Sequence, residues 1–250
     1  MKKLIWFLVF SLIIGACNFD VNPKKEQSIE LSFLGKYGTE ALVLNNAYDY
    51  PDSYKLTLNT LSFFISDIRL VDENNTETSI GSTDLIKFTN NHSTSTSSKK
   101  ETISIGDVPS GTYKKIKFGI GLPADLNAKN PADYENSNPL SNTEYYWDWR
   151  ATYIFSAIEG TLDTLQDGTV DVFLTYHSGS DAMYKEVEFD TNIIVNDDAT
   201  TIINFELDAK KIFITDTVFD LINNPLTHST PDDAHIADEI ITNLSNAISL

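Results

Sequence analysis

The sequence predicts a mainly β protein, a β-sandwich-like single domain with a C-terminal α-helix. Most of the chain consists of short segments rich in β-branched and aromatic residues, whose apolar positions do not recur at helical spacing. Turn-forming clusters such as Asp72-Glu73-Asn74-Asn75 and Gln166-Asp167-Gly168 separate these segments. Many short strands with regular punctuation are typical of sandwiches and related β-rich folds.

The first 27 residues have the features of an export signal and a tether. Residues 1–16 contain a basic start and an apolar run over 4–14 that is too short to span a bilayer, as in a lipoprotein signal peptide. The run ends in Ile-Gly-Ala-Cys, which resembles the bacterial lipobox, and Cys17 is the only cysteine of the chain. The sequence therefore predicts lipidation at Cys17 and a lipidated tether over 17–27.

This N-terminus predicts a lipid-anchored protein of the bacterial cell envelope, with the outer membrane as the expected membrane and its periplasmic or surface face left open. With its one cysteine lipidated, the protein would have no thiolate for a metal, so a metal site would use histidines, carboxylates or amides. The formal net charge of −18 argues against nucleic acid as a partner, because phosphate binding needs a basic surface. The length of the remainder, 28–250, suits one large all-β domain as well as two small ones, and a single domain is predicted because the sequence has no repeat and no linker to a second domain.

Strands are predicted where branched and aromatic residues cluster between turn signals. The predicted segments are 28–34, 55–71, 85–88, 102–105, 113–120, 152–158, 170–177, 184–195 and 200–207. The second segment is long enough for a bent strand or for two strands joined by a bulge. Residues 122–142 are rich in Asn, Pro, Asp and Ala and are predicted to form a long connection, which in a compact domain is often functional.

A helix is predicted over 231–249. Thr230 can cap it, Pro231 suits the first helical position, and Asp232 and Asp233 would lie where the helix dipole favours acids. Apolar residues then recur at helical spacing and predict a buried face. They are Ile236, Ala237, Ile240, Ile241, Leu244 and Ile248.

Two tryptophans remain after removal of the leader, and they are two residues apart in Tyr145-Tyr146-Trp147-Asp148-Trp149-Arg150. If this segment is extended, Tyr145, Trp147 and Trp149 share one face and Arg150 lies on the other. Such a stripe can be a core layer, a platform on which a sugar or another flat ligand stacks, or an oxidisable cluster beside a metal. The residues alone leave these three interpretations open.

His177 and His228 are the candidate metal ligands. His177 ends a predicted strand on the face opposite its apolar residues, and His228 stands just before the C-terminal helix. A lone histidine is usually a hydrogen-bonded structural residue, so these positions permit a histidine-based copper site beside the indoles without establishing it. The sequence has no nucleophile elbow, zinc-protease helix or Walker loop, and no enzymatic activity is predicted.

Several phrases, taken in order, resemble one family. They are LSFFISDIRL at 61–70, VPSGTY at 108–113, KFGIGLP at 117–123, NPL at 138–140, YWDW at 146–149, YIF at 153–155, IEG at 158–160 and YHSG at 176–179. This order is similar to the MbnP-like copper-binding protein family, whose members are exported, β-rich, often lipoproteins, and frequently encoded beside diheme peroxidases. The combination of Trp-x-Trp, Glu-Gly and His-x-Gly is more specific than any single phrase.

The resemblance implies a copper-binding or copper-handling protein in which a partner diheme cytochrome c peroxidase oxidises a tryptophan to kynurenine. For this chain it makes Trp147 or Trp149 the residue expected to be modified, and it makes the modified residue and His177 the expected copper ligands. Many members have a histidine in the first strand, whereas this chain reads FLGKYG over 33–38. His228 would replace that ligand if the C-terminal segment folds back, and otherwise the site is degenerate. The alternative function is that of a metal-free lipoprotein whose aromatic residues stack on a glycan.

Overall fold

The computed structural model describes residues 27–89 and 100–250. The predicted signal peptide, Cys17 and most of the tether lie outside these residues, so lipidation and envelope anchoring stay predictions. Among the described residues, no helix has the length and apolar character needed to cross a membrane.

The described residues form fifteen strands and three short α-helices. The strands are β1 (Ser28–Tyr37), β2 (Glu40–Ala41), β3 (Ala47–Tyr50), β4 (Tyr54–Asp72), β5 (Glu77–Phe88), β6 (Lys100–Gly106), β7 (Gly111–Ile120), β8 (Tyr146–Trp147), β9 (Thr152–Tyr153), β10 (Ser156–Asp163), β11 (Val172–Ser178), β12 (Lys185–Val195), β13 (Thr200–Asp208), β14 (Leu226–Thr227) and β15 (Ile248–Ser249). The helices are α1 (Ala124–Asn127), α2 (Lys210–Phe213) and α3 (Ala234–Asn246).

Two mixed sheets pack together and confirm the predicted fold class. The smaller sheet has the order β15-β13-β1-β2, with β6 also paired to β1. The larger sheet has the order β12-β7-β4-β10-β11-β14, with β3 and β5 also paired to β4. Between the sheets, Phe33 of the smaller sheet stacks on Phe205 at 4.9 Å and meets Phe63 of the larger sheet at 6.3 Å between ring centroids.

Each predicted strand segment overlaps a strand, but β5 begins at Glu77, eight residues before the predicted segment 85–88, and one predicted segment is divided. The segment 55–71 is a single strand of 19 residues, β4, whose register shifts between Ser66 and Arg69. Asp67 in this bulge has a φ of 51°. The segment 152–158 is divided into β9 and β10, because Ile154 and Phe155 connect a small hairpin to the larger sheet.

The C-terminal helix is shorter than the predicted 231–249, since α3 spans Ala234–Asn246. Its start is delayed because Asp233 closes a turn, donating its N–H to the Thr230 carbonyl at 3.1 Å, while its carboxylate accepts the His228 N–H at 3.2 Å. Its end is earlier because Ile248 pairs with Leu207 in the smaller sheet. The predicted apolar face is buried throughout.

The long connection after β7 covers the outer face of the larger sheet, defined as the face that points away from the smaller sheet. Ser62 and Phe64 of β4 lie on this face, between core residues that point the other way. Tyr145 donates its hydroxyl to Ser62 Oγ at 2.8 Å, and its ring meets Phe64 edge to face at 5.7 Å. This packing places the β8–β9 hairpin, with both tryptophans, beside β10 and β11.

Candidate metal centre

His177 and His228 lie side by side because the C-terminal segment folds back onto the larger sheet. Strand β14 pairs in parallel with β11, in a register that sets Tyr176 opposite Thr227. A histidine follows each of these two residues in the chain: His177 follows Tyr176 within β11, and His228 follows Thr227 just after β14. The two imidazole rings meet edge to face with centroids 5.2 Å apart. Two histidines that are far apart in sequence are thus neighbours on the outer face.

Glu159 of β10 is hydrogen-bonded to His177. Its Oε1 lies 2.8 Å from His177 Nε2, and its Oε2 accepts a hydrogen bond from Thr60 Oγ1 at 3.0 Å. Burial lowers the pKa of His177 below its ordinary value, the carboxylate of Glu159 opposes this shift, and nearby His228 adds to it. The net direction favours a neutral imidazole, the form whose lone pair can bind a metal.

Trp147 packs against this pair from the neighbouring hairpin. Its ring lies 6.4 Å from the His228 ring and 6.0 Å from the Trp149 ring, measured between centroids. Trp147 is 7% exposed, whereas Trp149 is 65% exposed. The two indoles therefore differ in environment: one is enclosed beside the histidines, and the other faces solvent.

The segment 145–150 is not extended, so the condition for a stripe of Tyr145, Trp147 and Trp149 on one face is not met. The chain reverses over 148–151, where the Arg150 N–H donates to the Trp147 carbonyl at 3.0 Å and Ala151 has a φ of 52°. Tyr145 precedes this turn and points to the sheet. The tryptophans meet because of the turn and not because of strand alternation.

Arg150 joins the β8–β9 hairpin to the segment that contains His228. An extended chain would have placed its side chain on the face opposite the indoles. Its guanidinium lies 5.2 Å from the centroid of Trp147 and 5.4 Å from that of Trp149, within cation–π range. Its Nη1 donates to the carbonyl oxygens of His228 at 2.8 Å and Ser229 at 2.7 Å. One side chain therefore orders both the indoles and the backbone of a candidate ligand.

Ser229 fixes the same backbone to β11. Its hydroxyl donates to the His177 carbonyl at 3.0 Å and accepts the Gly179 N–H at 2.9 Å. Ser229 is buried and has a φ of 57°, so the turn after His228 takes a left-handed conformation at this residue. The relative position of the two histidines is thus set by backbone contacts as well as by strand pairing.

Replacing Gly179 with alanine is expected to disturb the tryptophan packing. A Cβ at this position would lie 2.2 Å from the Tyr153 carbonyl oxygen and 2.9 Å from Trp147 Cζ3. Because the first of these atoms belongs to the backbone, the strain should lower the free energy of unfolding by about 1–3 kcal/mol. Urea unfolding followed by tryptophan fluorescence would measure it.

Gly111→Ala is the matched control for this change, since the nearest atoms to its added Cβ lie at 3.6 Å. It should leave both the unfolding midpoint and the emission spectrum close to those of the wild type. A Gly179→Ala protein with wild-type stability and emission would contradict the close approach of backbone and indole.

The site brings two imidazoles together with the Glu159 carboxylate, which is hydrogen-bonded to His177 Nε2 and is not arranged as a third metal ligand. Within 27–89 and 100–250, no group of three or more His, Cys, Asp or Glu side chains is arranged to hold a metal ion. A histidine at the first-strand position of Gly35 would not complete the pair. Its Cβ would lie 3.0 Å from both Leu42 and Phe88, inside the core, whereas His177 lies on the outer face.

Two features of this site were not predicted from the sequence: the contact of Glu159 with His177 and the position of Arg150 against the indoles. Glu159 was visible only as part of the phrase Ile158-Glu159-Gly160, although an acid in a central strand is a signal in itself. The role of Arg150 depends on the hairpin turn, for which the sequence Asp148-Trp149-Arg150-Ala151 has no glycine or proline signal.

One comparison with known proteins shows the family of this chain, and another shows its fold. A family model described as MbnP matches residues 26–230. Among solved structures, the chain is similar to MbnP from Methylosinus trichosporium, with a TM-score of 0.61 and 16% sequence identity over 90% of this chain and 98% of that one. At this identity the structural match shows the fold alone. A comparison with curated proteins finds no match. Because the family model spans most of its length, the chain belongs to the MbnP family.

Proposed function

We propose that this chain is a lipid-anchored, non-enzymatic copper-binding protein of the cell envelope, with copper held by His177 and His228 beside Trp147. The MbnP family is generally copper-related and generally non-catalytic. The main supporting observation is that the ring centroids of His177 and His228 lie 5.2 Å apart, with the centroid of the Trp147 ring 6.4 Å from that of His228. Imidazole is a suitable ligand for copper, and burial lowers the pKa of His177, which favours the neutral form that binds it.

The donor set fits copper if Trp147 supplies a further ligand. In the described part of the chain, no third His, Cys, Asp or Glu is arranged with the two histidines to hold a metal ion, so another donor must come from a different kind of group. Oxidation of an indole to kynurenine creates a carbonyl and an aniline nitrogen, either of which can approach a metal. Trp147 is favoured over Trp149 for this role because its ring contacts His228 directly.

The oxidant in this proposal is hydrogen peroxide, used by a partner diheme cytochrome c peroxidase, as the resemblance implies. Two equivalents of peroxide remove four electrons as the indole C2–C3 bond breaks and two oxygen atoms are added, and water then releases C2 as formate, which leaves kynurenine. Trp149 is largely exposed and its ring lies 6.0 Å from that of Trp147, so the indole pair extends from the protein surface to the histidines. A partner docked at the hairpin would therefore approach the residue that is to be modified.

The proposal is tested by producing the full chain with and without the peroxidase and titrating copper(I) against a competing chelator. Loss of a residue that supports a metal ligand typically weakens metal affinity by about 10–100-fold. His177→Ala and His228→Ala each remove a ligand, so each should weaken copper(I) affinity by more than this. His235→Ala is the matched control, because His235 is exposed on α3. Unmodified tryptophans and no bound copper in the co-produced protein would refute the proposal.

The metal-free alternative is supported by one observation, the 65% exposure of Trp149. An exposed indole can stack on a sugar ring. Two observations argue against a broad stacking platform for a glycan. Trp147 is buried, and the Arg150 guanidinium lies 5.4 Å from the Trp149 ring centroid. Glycan-dependent quenching of fluorescence in metal-free protein, abolished by Trp149→Phe, would favour this function over copper binding.

A further inference from the structure

We infer that Glu159 is a positioning residue of the copper site: it fixes the hydrogen of His177 on Nε2 and leaves Nδ1 as the nitrogen that binds the metal. This inference rests on the proposed function. It is carried by the 2.8 Å contact between Glu159 Oε1 and His177 Nε2, which joins side chains of two neighbouring strands. The proposed function does not require this residue, and the sequence did not single it out.

The carboxylate of Glu159 is held from both sides. Its Oε2 accepts the Thr60 hydroxyl at 3.0 Å, and Thr60 lies directly opposite Glu159 in the pairing of β4 with β10. On the other side, Glu159 faces Thr175 in the pairing of β10 with β11, so His177 is its diagonal neighbour on the same face. Three adjacent strands therefore set the position of the carboxylate relative to the imidazole.

This geometry selects one tautomer of His177. An ionised carboxylate only accepts hydrogen bonds, so the ring nitrogen that faces it must bear a hydrogen. A neutral imidazole has one N–H, and the lone pair then belongs to Nδ1. Histidine ligands commonly donate their second ring N–H to a carboxylate, which fixes the ring and raises the basicity of the metal-binding nitrogen. The 2.8 Å contact between Glu159 Oε1 and His177 Nε2 places the two side chains for this arrangement.

The first test reads the tautomer in the metal-free full chain. Nitrogen NMR of histidine-labelled protein should show His177 as the Nε2–H form, and Glu159→Ala should convert it to a mixture of the two tautomers. His235, which is exposed on α3, provides an internal reference in the same spectra. Finding His177 in the Nδ1–H form in the wild-type protein would overturn the inference.

The second test measures copper(I) affinity in the co-produced protein. Glu159→Ala should weaken binding by about 10–100-fold, the usual cost of losing an outer-shell partner, and Glu159→Gln should restore part of it because its amide oxygen still accepts. Glu206→Ala is the matched control: Glu206 is 44% exposed against 41% for Glu159, and it pairs with Lys36 at 2.6 Å on the smaller sheet.

The two measurements separate this inference from the proposed function. Wild-type affinity in Glu159→Ala would overturn the positioning role while leaving copper binding intact. A wild-type protein that binds no copper would refute the proposed function, and the tautomer of the metal-free protein would still decide whether Glu159 fixes the ring of His177.

Discussion

Phe33→Ala is expected to lower the free energy of unfolding by about 3–5 kcal/mol, the usual range for truncating a buried phenylalanine. Phe33 is fully buried at the centre of the sandwich. Its ring stacks on Phe205 at 4.9 Å and meets Phe63 and Phe118 edge to face at 6.3 and 6.2 Å between centroids. The truncation would leave a cavity between the two sheets that three surrounding rings, fixed on separate strands, cannot fill without strain.

Phe173→Ala provides the matched control, because Phe173 of β11 is 75% exposed. The same chemical change there should alter the free energy of unfolding by no more than about 0.5 kcal/mol. Denaturant unfolding of both variants, with the wild type as reference, measures the difference. Equal destabilisation by the two substitutions would show that the core does not lie between the sheets at Phe33.

The strands of this core could be predicted from sequence because the information is local. Branched and aromatic residues between turn signals marked every long strand at least in part, although only the last four residues of β5 were predicted. Alternation correctly placed Leu174 and Tyr176 on one face of β11 and His177 on the other. The apolar spacing of α3 likewise predicted its buried face. Its ends were set by contacts beyond the helix, Asp233 with the His228 N–H and Ile248 with β13.

The site depends on contacts that are distant in sequence, and these could not be predicted. Strand β14 has only two residues, so no pattern announces that it pairs with β11 and brings His228 beside His177. The Glu159 contact follows from the register of β10 on β11, which is fixed by the whole sheet. At the tryptophans, the local rule itself failed, because a turn over 148–151 replaced the extended chain that the spacing suggested.

That turn gives the two indoles different roles in the proposed function, and the difference can be tested by Trp147→Phe. We expect this variant to lose both kynurenine formation and tight copper binding, because the Trp147 ring is the one that contacts His228. Peptide mass spectrometry of the protein co-produced with the peroxidase would locate the modification, and competition titration would give the copper(I) affinity. The cost in stability should be smaller than the about 3–5 kcal/mol of truncation to alanine, since phenylalanine keeps an aromatic ring in the site.

Trp149→Phe makes the same chemical change two residues away, at an indole that is 65% exposed and whose ring lies 6.0 Å from that of Trp147 between centroids. It should keep its kynurenine at position 147 once oxidation is complete, and its copper affinity should stay close to that of the wild type. If electrons leave Trp147 by way of the exposed indole, the yield of kynurenine at a fixed time should fall in this variant while the final affinity does not. Kynurenine found at Trp149, or tight copper binding by Trp147→Phe, would reverse the assignment. The metal centre would then have to extend towards solvent and not towards the histidine pair.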